Sequence, residues 1–149
     1  MKNKNFKALS LITLLLIIID QISKLFVLKF YSTSIVGNEL LGIELVYNTG
    51  LDFGFNDGNV KNIFLTVFVL IVILNFIINQ IERIDKRTII ALSLVISGGI
   101  GNLIDRFLRG SVVDFIKIYK IPNFNFADFF VVVGWILLII FLIDYTRKN

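Results

Sequence analysis

The sequence predicts an all-α membrane protein, a single domain of residues 1–149 that crosses the bilayer four times. Hydrophobic residues make up 56% of the chain, and the mean hydropathy is +0.85. A soluble domain of this size has no core large enough for so much apolar side chain, whereas lipid accommodates it. Four long apolar stretches follow one another, and the connection after the first stretch lacks Lys and Arg, whereas the connection after the second contains three. These observations together indicate a multi-span protein rather than a soluble fold.

The four apolar stretches place the spans at roughly 8–30, 61–80, 88–107 and 127–144. The uninterrupted apolar part of the last three is shorter than the ~20 residues that a full span needs. We therefore expect polar neighbours to lie at membrane depth or in the headgroup region. The first stretch follows Lys2, Lys4 and Lys7 as a signal peptide would, but no small-x-small cleavage site comes after it. We interpret it as an uncleaved first span.

The distribution of basic residues predicts the orientation of the spans. Lys and Arg occur at the N-terminus, in the second connection and at the C-terminus, whereas residues 31–60 contain neither and hold four acidic residues. The third connection is mixed, with Arg109, Lys117 and Lys120. Because positively charged connections stay on the cytoplasmic side, both termini should be cytoplasmic, with the two longer connections outside.

Missing residue types restrict the chemistry. The chain has no cysteine and no histidine, which excludes disulfides, thiolate nucleophiles, Ser-His pairs and the commonest zinc ligand. We expect no metal, no cofactor and no nucleic-acid partner. Any catalytic group must be Asp, Glu, Lys, Ser, Thr or Tyr.

Unusual polar residues from separate segments converge at the outer face in this topology. They are Asp20, Lys24, Asn48, Asn102, Asp105, Arg106, Asp114 and Asp128. Ionisable residues at membrane depth are costly and are candidates for function. Plainer readings remain open: Asp20 and Lys24 are spaced as an i,i+4 ion pair, and Arg106 has the character of a snorkelling anchor. The spacing of Ser93, Ser97 and Gly101 favours helix packing over function.

Asp114 and Asp128 give the most specific hypothesis. Each lies where an outer connection meets an apolar segment. Two carboxylates held close cannot both ionise readily, so one keeps a proton while the other acts as a base on water. In a chain without His or Cys this is the most economical peptidase chemistry. Two solvated surface aspartates remain the alternative on spacing alone.

Five sequence blocks carry a resemblance to bacterial lipoprotein signal peptidase (signal peptidase II). In chain order they are Asp20-Gln21-x-x-Lys24, Asn48-Thr49-Gly50-x-x-Phe53, Gly98-Gly99-x-Gly101-Asn102-x-x-Asp105-Arg106, Val112-Val113-Asp114-Phe115 and Phe124-Asn125-x-Ala127-Asp128. Each block is weak evidence by itself, but all five occur in the family's order and span nearly the whole chain.

The resemblance implies an activity and a set of site residues. The family removes the signal peptide of a diacylglyceryl-modified prolipoprotein, cutting before the lipidated cysteine in the bacterial inner membrane. Asp114 and Asp128 match the catalytic aspartates, and the residues matching substrate-binding or site-shaping positions are Asp20, Lys24, Asn48, Gly50, Asn102, Arg106, Asn125 and Ala127. A small β cradle in the outer connections, contact with membrane lipid, a monomeric state and inhibition by globomycin-type compounds are also expected.

One departure and three rival functions accompany this interpretation. The family has two small residues where this chain has Leu51 and Asp52, and their bulk and charge bear on substrate fit. A proton or ion transporter needs polar residues throughout the bilayer depth, but spans two and four have few. A non-catalytic assembly factor would not require the two aspartates. A Ser-Lys peptidase has Ser23 or Ser111 available, but Ser23 and Lys24 face apart on a helix.

Overall fold

The computed structural model describes residues 2–31, 36–50 and 58–148. In this part of the chain, four helices are long and apolar enough to cross a membrane: α1 (Lys2–Phe30), α2 (Gly58–Gln80), α3 (Lys86–Arg109) and α4 (Phe126–Lys148). The prediction of four transmembrane helices is confirmed. The unusual pair Leu51 and Asp52 lies outside the described residues.

Helix α3 is the central helix of the bundle. It packs against α1 on one side and α4 on the other, and it is the span with the largest buried share. The Asp85 carboxylate accepts a hydrogen bond from the Thr88 backbone N–H at 2.8 Å, which caps the start of α3. Gly110, in the left-handed conformation with φ of 74°, ends it. The chain can therefore turn directly from α3 into a strand.

Small residues allow the neighbouring helices to approach α3 closely. A Cβ atom on Gly98 would lie 2.2 Å from the Ala127 carbonyl oxygen, and one on Gly101 would lie 2.6 Å from Asp20 Oδ2. Ser93 and Ser97 on the same helix are fully buried. This close packing brings the first turn of α4 and the polar part of α1 against α3.

The connections between α1 and α2 and between α3 and α4 form one antiparallel sheet in the order β1-β2-β3-β4. Its strands are β1 (Val36–Gly37), β2 (Leu41–Asn48), β3 (Val112–Ile118) and β4 (Ile121–Phe124). Residues 43–47 and 112–116, whose sequence patterns are typical of short strands, lie within β2 and β3, and the expected small β cradle is confirmed. The sequence did not predict β1 or β4, and β4 contains Pro122, which an edge strand tolerates.

Candidate active site

Asp114 lies in β3, opposite Val46 of β2, and is almost fully buried. Its Oδ1 accepts a hydrogen bond from Asn125 Nδ2 at 2.6 Å, and its Oδ2 accepts one from Asn48 Nδ2 at 2.9 Å. Burial, and to a smaller extent the negative charge of Asp128, raises the pKa of Asp114 to about 6. The two amide hydrogen bonds oppose this shift but do not cancel it. Asp114 is therefore a carboxyl group that can hold a proton at mildly acidic pH.

Asp128 lies in the first turn of α4 and is half-buried. Asn125, just before the helix, accepts a hydrogen bond from the Asp128 N–H at 2.9 Å, and its own N–H donates to Asp128 Oδ2 at 3.3 Å. This reciprocal pair is a helix-capping arrangement. It fixes the Asp128 side chain at the start of α4, where backbone N–H groups favour negative charge.

Two asparagine amides connect the aspartates. Asn125 Nδ2 contacts Asp114 Oδ1 and also donates to Asn102 Oδ1 at 3.2 Å. Asn102 Nδ2 in turn donates to Asp128 Oδ1 at 2.7 Å. The structure thus brings Asp114, Asp128, Asn102 and Asn125 together from β3, α3 and the start of α4. The carboxylates share a hydrogen-bonded network rather than a direct contact.

Next to this network, Lys24 is surrounded by oxygen atoms. Its Nζ lies 2.8 Å from Asp20 Oδ2, 2.9 Å from Asp105 Oδ2 and 3.1 Å from Asn102 Oδ1. The i,i+4 ion pair proposed for Asp20 and Lys24 is present, and both side chains are fully buried. Asp20 Oδ1 also accepts a hydrogen bond from the Ala127 backbone N–H at 2.9 Å, so α1 is joined to the start of α4.

Asp105 and Gln21 belong to the same cluster. The sequence placed Asp105 among the converging polar residues, but neither residue among the predicted catalytic or site-shaping positions. Asp105 Oδ2 accepts from the Val113 backbone N–H at 3.1 Å, and its Oδ1 contacts Arg109 Nη1 and Gln21 Nε2. The available signal was that Asp105 follows Asn102 by three positions, one helical turn on the same face of α3. Gln21 stood inside the first motif.

Gly50 and Asn48 lie at the end of β2. Gly50 has a φ of 96°, a conformation that favours glycine, and its N–H donates to Asn48 Oδ1 at 2.8 Å. The Asn48 amide is held with Oδ1 toward Gly50 and Nδ2 toward Asp114. Gly50 therefore shapes the site through Asn48 and does not itself contact an aspartate in the described contacts.

Arg106 lines an apolar cavity of about 330 Å³ between α2, α3 and α4, together with Asn102 and Asp128. Its Nε is buried and has no hydrogen-bond partner within the described residues. A larger cavity of about 850 Å³ lies between the same three helices toward their other ends, and Trp135 lines both. Two cavities thus lie in succession along α4, and we refer to them together as the apolar cleft; the smaller one adjoins Asp128.

Other chemistries find little support in the described ranges. Ser23 Oγ donates to the Asp20 carbonyl oxygen at 2.7 Å, and Lys24 is committed to three oxygens, so this pair is not arranged as a Ser-Lys nucleophile. Among the described residues, no group of three acidic side chains is placed to hold a metal ion.

Comparison with known proteins identifies the family. The model of the signal peptidase (SPase) II family matches residues 12–144. The lipoprotein signal peptidase of Borrelia turicatae is 39% identical over 91% of this chain and 88% of its own length. That of Pseudomonas paraeruginosa is 35% identical over 85% and 82%, respectively.

A solved structure supports the same assignment. A bacterial membrane enzyme solved by the in meso method at 2.3 Å superposes with a TM-score of 0.74 and 29% identity, over 95% of this chain and 90% of the other. The resemblance carried by the five motifs is thus confirmed. The chain belongs to the signal peptidase II family, bacterial membrane aspartic proteases that remove signal peptides from prolipoproteins.

Proposed function

We propose that Asp114 and Asp128 form an acid/base pair that activates water to cleave a diacylglyceryl-modified prolipoprotein just before its lipidated cysteine. The observation that carries this proposal is the link between the two carboxylates through the Asn125 and Asn102 amides, at the end of an apolar cleft. Such a pair can exchange protons with a bound water and with the substrate amide.

The reaction needs only these two groups and one water. The ionised carboxylate takes a proton from water as the water oxygen attacks the carbonyl carbon, while the protonated carboxyl donates its proton to the carbonyl oxygen. The resulting gem-diol collapses when one hydroxyl gives its proton to the carboxylate that began the reaction protonated. At the same time the carboxyl group that took a proton from water protonates the departing nitrogen, and the C–N bond breaks. Both aspartates end in their starting protonation states.

We assign the initial proton to Asp114 and the base role to Asp128. Asp114 is almost fully buried in a strand, and this burial raises its pKa to about 6. Asp128 accepts hydrogen bonds from Asn102 Nδ2 and the Asn125 N–H at the N-terminus of α4, and these donors suit an ionised carboxylate. The acid is thus almost fully buried and the base half-buried, and this difference in environment separates the two roles.

The cleft supports a membrane-bound substrate. A diacylglyceryl group keeps the cysteine in the bilayer, so the bond to be cut lies near the interface. The apolar signal segment on the N-terminal side of that bond matches the apolar cleft between α2 and α4. The Nε of Arg106, which has no partner among the residues that the structure describes, offers a donor to a substrate carbonyl beside Asp128.

The remaining predicted residues shape the site rather than react. Asp114 is oriented by Asn125 and by Asn48, which Gly50 holds in place. Asp128 is oriented by Asn102 and by the buried group of Asp20, Lys24 and Ala127. Removal of the Asn48, Asn125 or Asn102 amide, or of the Asp20 or Lys24 side chain, is expected to lower the rate without creating a new reaction.

We further propose a monomer with both termini in the cytoplasm and the site at the outer face of the inner membrane. The concentration of Lys and Arg at the termini and in the connection between α2 and α3 supports this orientation. Globomycin-type inhibitors, expected from the family, would occupy the same cleft and compete with the lipidated substrate.

The deciding experiment compares the wild-type chain with Asp114→Asn and Asp128→Asn, each purified in detergent and given diacylglyceryl-modified prolipoprotein. Cleavage is followed by gel shift, and mass spectrometry locates the new N-terminus. We expect the wild type to cut before the lipidated cysteine and both variants to lose at least about 1000-fold in rate.

Two controls make the result interpretable. Unmodified prolipoprotein tests whether the lipid is required, and Glu82→Gln removes an exposed carboxylate between α2 and α3 that lines neither cavity. Full cleavage by either folded aspartate variant would refute the acid/base pair. Equal cleavage of modified and unmodified substrate would refute the lipid requirement.

A further inference from the structure

Each candidate catalytic aspartate follows a residue whose backbone N–H is held by a buried carboxylate. The Val113 N–H, preceding Asp114, donates to Asp105 Oδ2 at 3.1 Å. The Ala127 N–H, preceding Asp128, donates to Asp20 Oδ1 at 2.9 Å. Two aspartates from different segments therefore have the same type of anchor, one residue upstream.

One ammonium group joins the two anchors. Lys24 Nζ lies 2.8 Å from Asp20 Oδ2 and 2.9 Å from Asp105 Oδ2. The third hydrogen of the ammonium group goes to Asn102 Oδ1 at 3.1 Å, and Asn102 contacts Asp128. An ammonium has three donors, so all of them are used. Lys24 thus has no free donor for water or substrate.

Burying the charges of this cluster costs free energy, and a cluster that served only to pack the helices would not need charged side chains. Asp20, Lys24 and Asp105 all have fully buried side chains. Desolvating such charges is expensive, and apolar residues of similar volume stabilise a core as well or better. Two of the interactions hold backbone N–H groups where β3 and α4 begin. Those are the positions that set where Asp114 and Asp128 lie.

We propose that Asp105 is a positioning residue that acts through Lys24 and Asp20 to fix the relative placement of the Asp114 and Asp128 carboxyl groups. The proposal rests on the acid/base function given above. Asp105 touches neither aspartate in the described contacts; it holds the peptide before Asp114, and Lys24 connects it to the peptide before Asp128.

The proposal predicts an effect on rate and an effect on proton affinity. Misplacement of a catalytic group by about 1 Å can cost about 100-fold in rate with little change in substrate binding. Asp105 also contributes a negative charge to the surroundings of the pair. Lys24 and Arg106 are the positive charges that act on the pair, while Asp20 contacts Lys24 and Arg109 contacts Asp105. Removing one negative charge makes ionisation of the remaining acid easier.

The experiment uses the full chain in detergent and compares wild type, Asp105→Ala and Asp105→Asn. The asparagine oxygen can still accept from Val113 N–H and contact Lys24, whereas alanine removes both contacts. We expect Asp105→Ala to lose about 100-fold in kcat with KM within about threefold of wild type. Asp105→Asn should recover at least about tenfold of that loss, with the alkaline limb of its kcat profile at lower pH than in wild type.

Glu44→Gln is the matched control, because it removes a carboxylate that pairs with Lys117 at 2.6 Å on the same sheet, outside this cluster. It should leave kcat and the pH profile unchanged. Folding is checked by size exclusion and thermal melting. Two outcomes overturn the proposal: a folded Asp105→Ala with wild-type kcat, or a folded Asp105→Asn whose pH profile does not move.

The test also separates this proposal from the one on which it rests. Asp114→Asn is assayed alongside. If Asp114→Asn retains cleavage, the acid/base function fails whatever Asp105 does. If Asp114→Asn is inactive while the Asp105 variants lose only thermal stability, with unchanged kcat per folded molecule and unchanged pH profile, only the positioning role fails.

Discussion

Asn102 presents its Nδ2 donor, and not its carbonyl oxygen, to Asp128, at 2.7 Å. The orientation of the amide follows from chemistry, because the ammonium of Lys24 can only donate and lies 3.1 Å from Asn102 Oδ1. Asn125 Nδ2 donates to the same oxygen. Two donors on one side therefore leave only the Nδ2 hydrogens to face Asp128.

Replacing Asn102 tests the value of this donor. Asn102→Leu has a similar shape but offers Asp128 no hydrogen bond, and we expect kcat to fall about 100-fold, as when one preorganised donor is removed. Asn102→Asp keeps an acceptor for Lys24 but places a second carboxylate against Asp128, so its loss at neutral pH should be at least as large. Steady-state cleavage of lipidated substrate measures both.

A second amide serves as the control for Asn102. Asn123 Nδ2 donates to the Glu44 carbonyl oxygen at 2.9 Å, away from the aspartates. Asn123→Leu should retain wild-type kcat. An Asn102→Leu enzyme whose kcat stays within threefold of wild type would show that the contact with Asp128 is not needed for the reaction.

The pKa of Asp114 predicts the pH dependence. The acid must be protonated, so activity falls as pH rises through its pKa, which burial raises to about 6. Because kcat/KM reports the free enzyme, its alkaline limb should lie near pH 6. Substrate excludes further water and raises the pKa again, so the limb in kcat should lie at higher pH. Initial rates across pH 4 to 9 at low and saturating substrate give both profiles. A kcat/KM limb well above that of kcat would contradict the assignment.

Asn48 provides a directional test of the same group. Its hydrogen bond to Asp114 Oδ2 stabilises the ionised form and so lowers the pKa that burial raises. Asn48→Ala removes this opposition, and the pKa of Asp114 should rise. The alkaline limb of kcat/KM should move to higher pH, opposite to the shift expected for Asp105→Asn. If the alkaline limb does not move in a folded Asn48→Ala enzyme, the observed titration does not belong to Asp114.

The spans and the main site residues could be predicted from sequence because their signals are local. Long apolar stretches follow from lipid as the solvent, and a charged residue such as Lys24 within one of them is conspicuous. The pairing of Asp20 with Lys24 follows from i,i+4 spacing. Asp114 and Asp128 stood at the ends of apolar segments, and the absence of His and Cys left few other candidates.

The contacts that could not be predicted involve partners that a sequence does not display. The acceptor role of Asp105 depends on the backbone N–H of Val113, which every residue except proline carries. Strand β1 is two residues long, and Pro122 argues against a strand unless the strand is known to lie at an edge. The bridge from Asp114 to Asp128 through Asn125 and Asn102 joins three segments, and only the packed helices bring them together.

The close packing of α3 on α4 gives a pair of neighbouring variants with different expected outcomes. A Cβ on Gly98 would meet the Ala127 carbonyl oxygen at 2.2 Å, whereas the nearest described atoms to one on Gly99 are in the Leu70 and Thr66 side chains, at 3.3 Å or more. Gly98→Ala should destabilise the fold by about 1–3 kcal/mol and displace the start of α4, which carries Asp128. Gly99→Ala should be near neutral in stability. Thermal melting in detergent compares them, and equal melting temperatures would contradict the packing argument.

Substitution of Arg106 distinguishes two roles for its guanidinium, substrate binding and anchoring at the membrane surface. Its buried Nε lacks a partner within the described residues, and it shares a cavity with Asp128. If the guanidinium binds a substrate carbonyl, Arg106→Gln should raise KM about tenfold, and Arg106→Lys should also raise it, because lysine keeps the charge but not the planar set of donors. An anchor would tolerate lysine with an unchanged KM.

Arg147→Gln, at the exposed end of α4, is the control for loss of one positive charge and should leave KM unchanged. Wild-type KM in Arg106→Lys would therefore favour the anchor and remove Arg106 from the binding site.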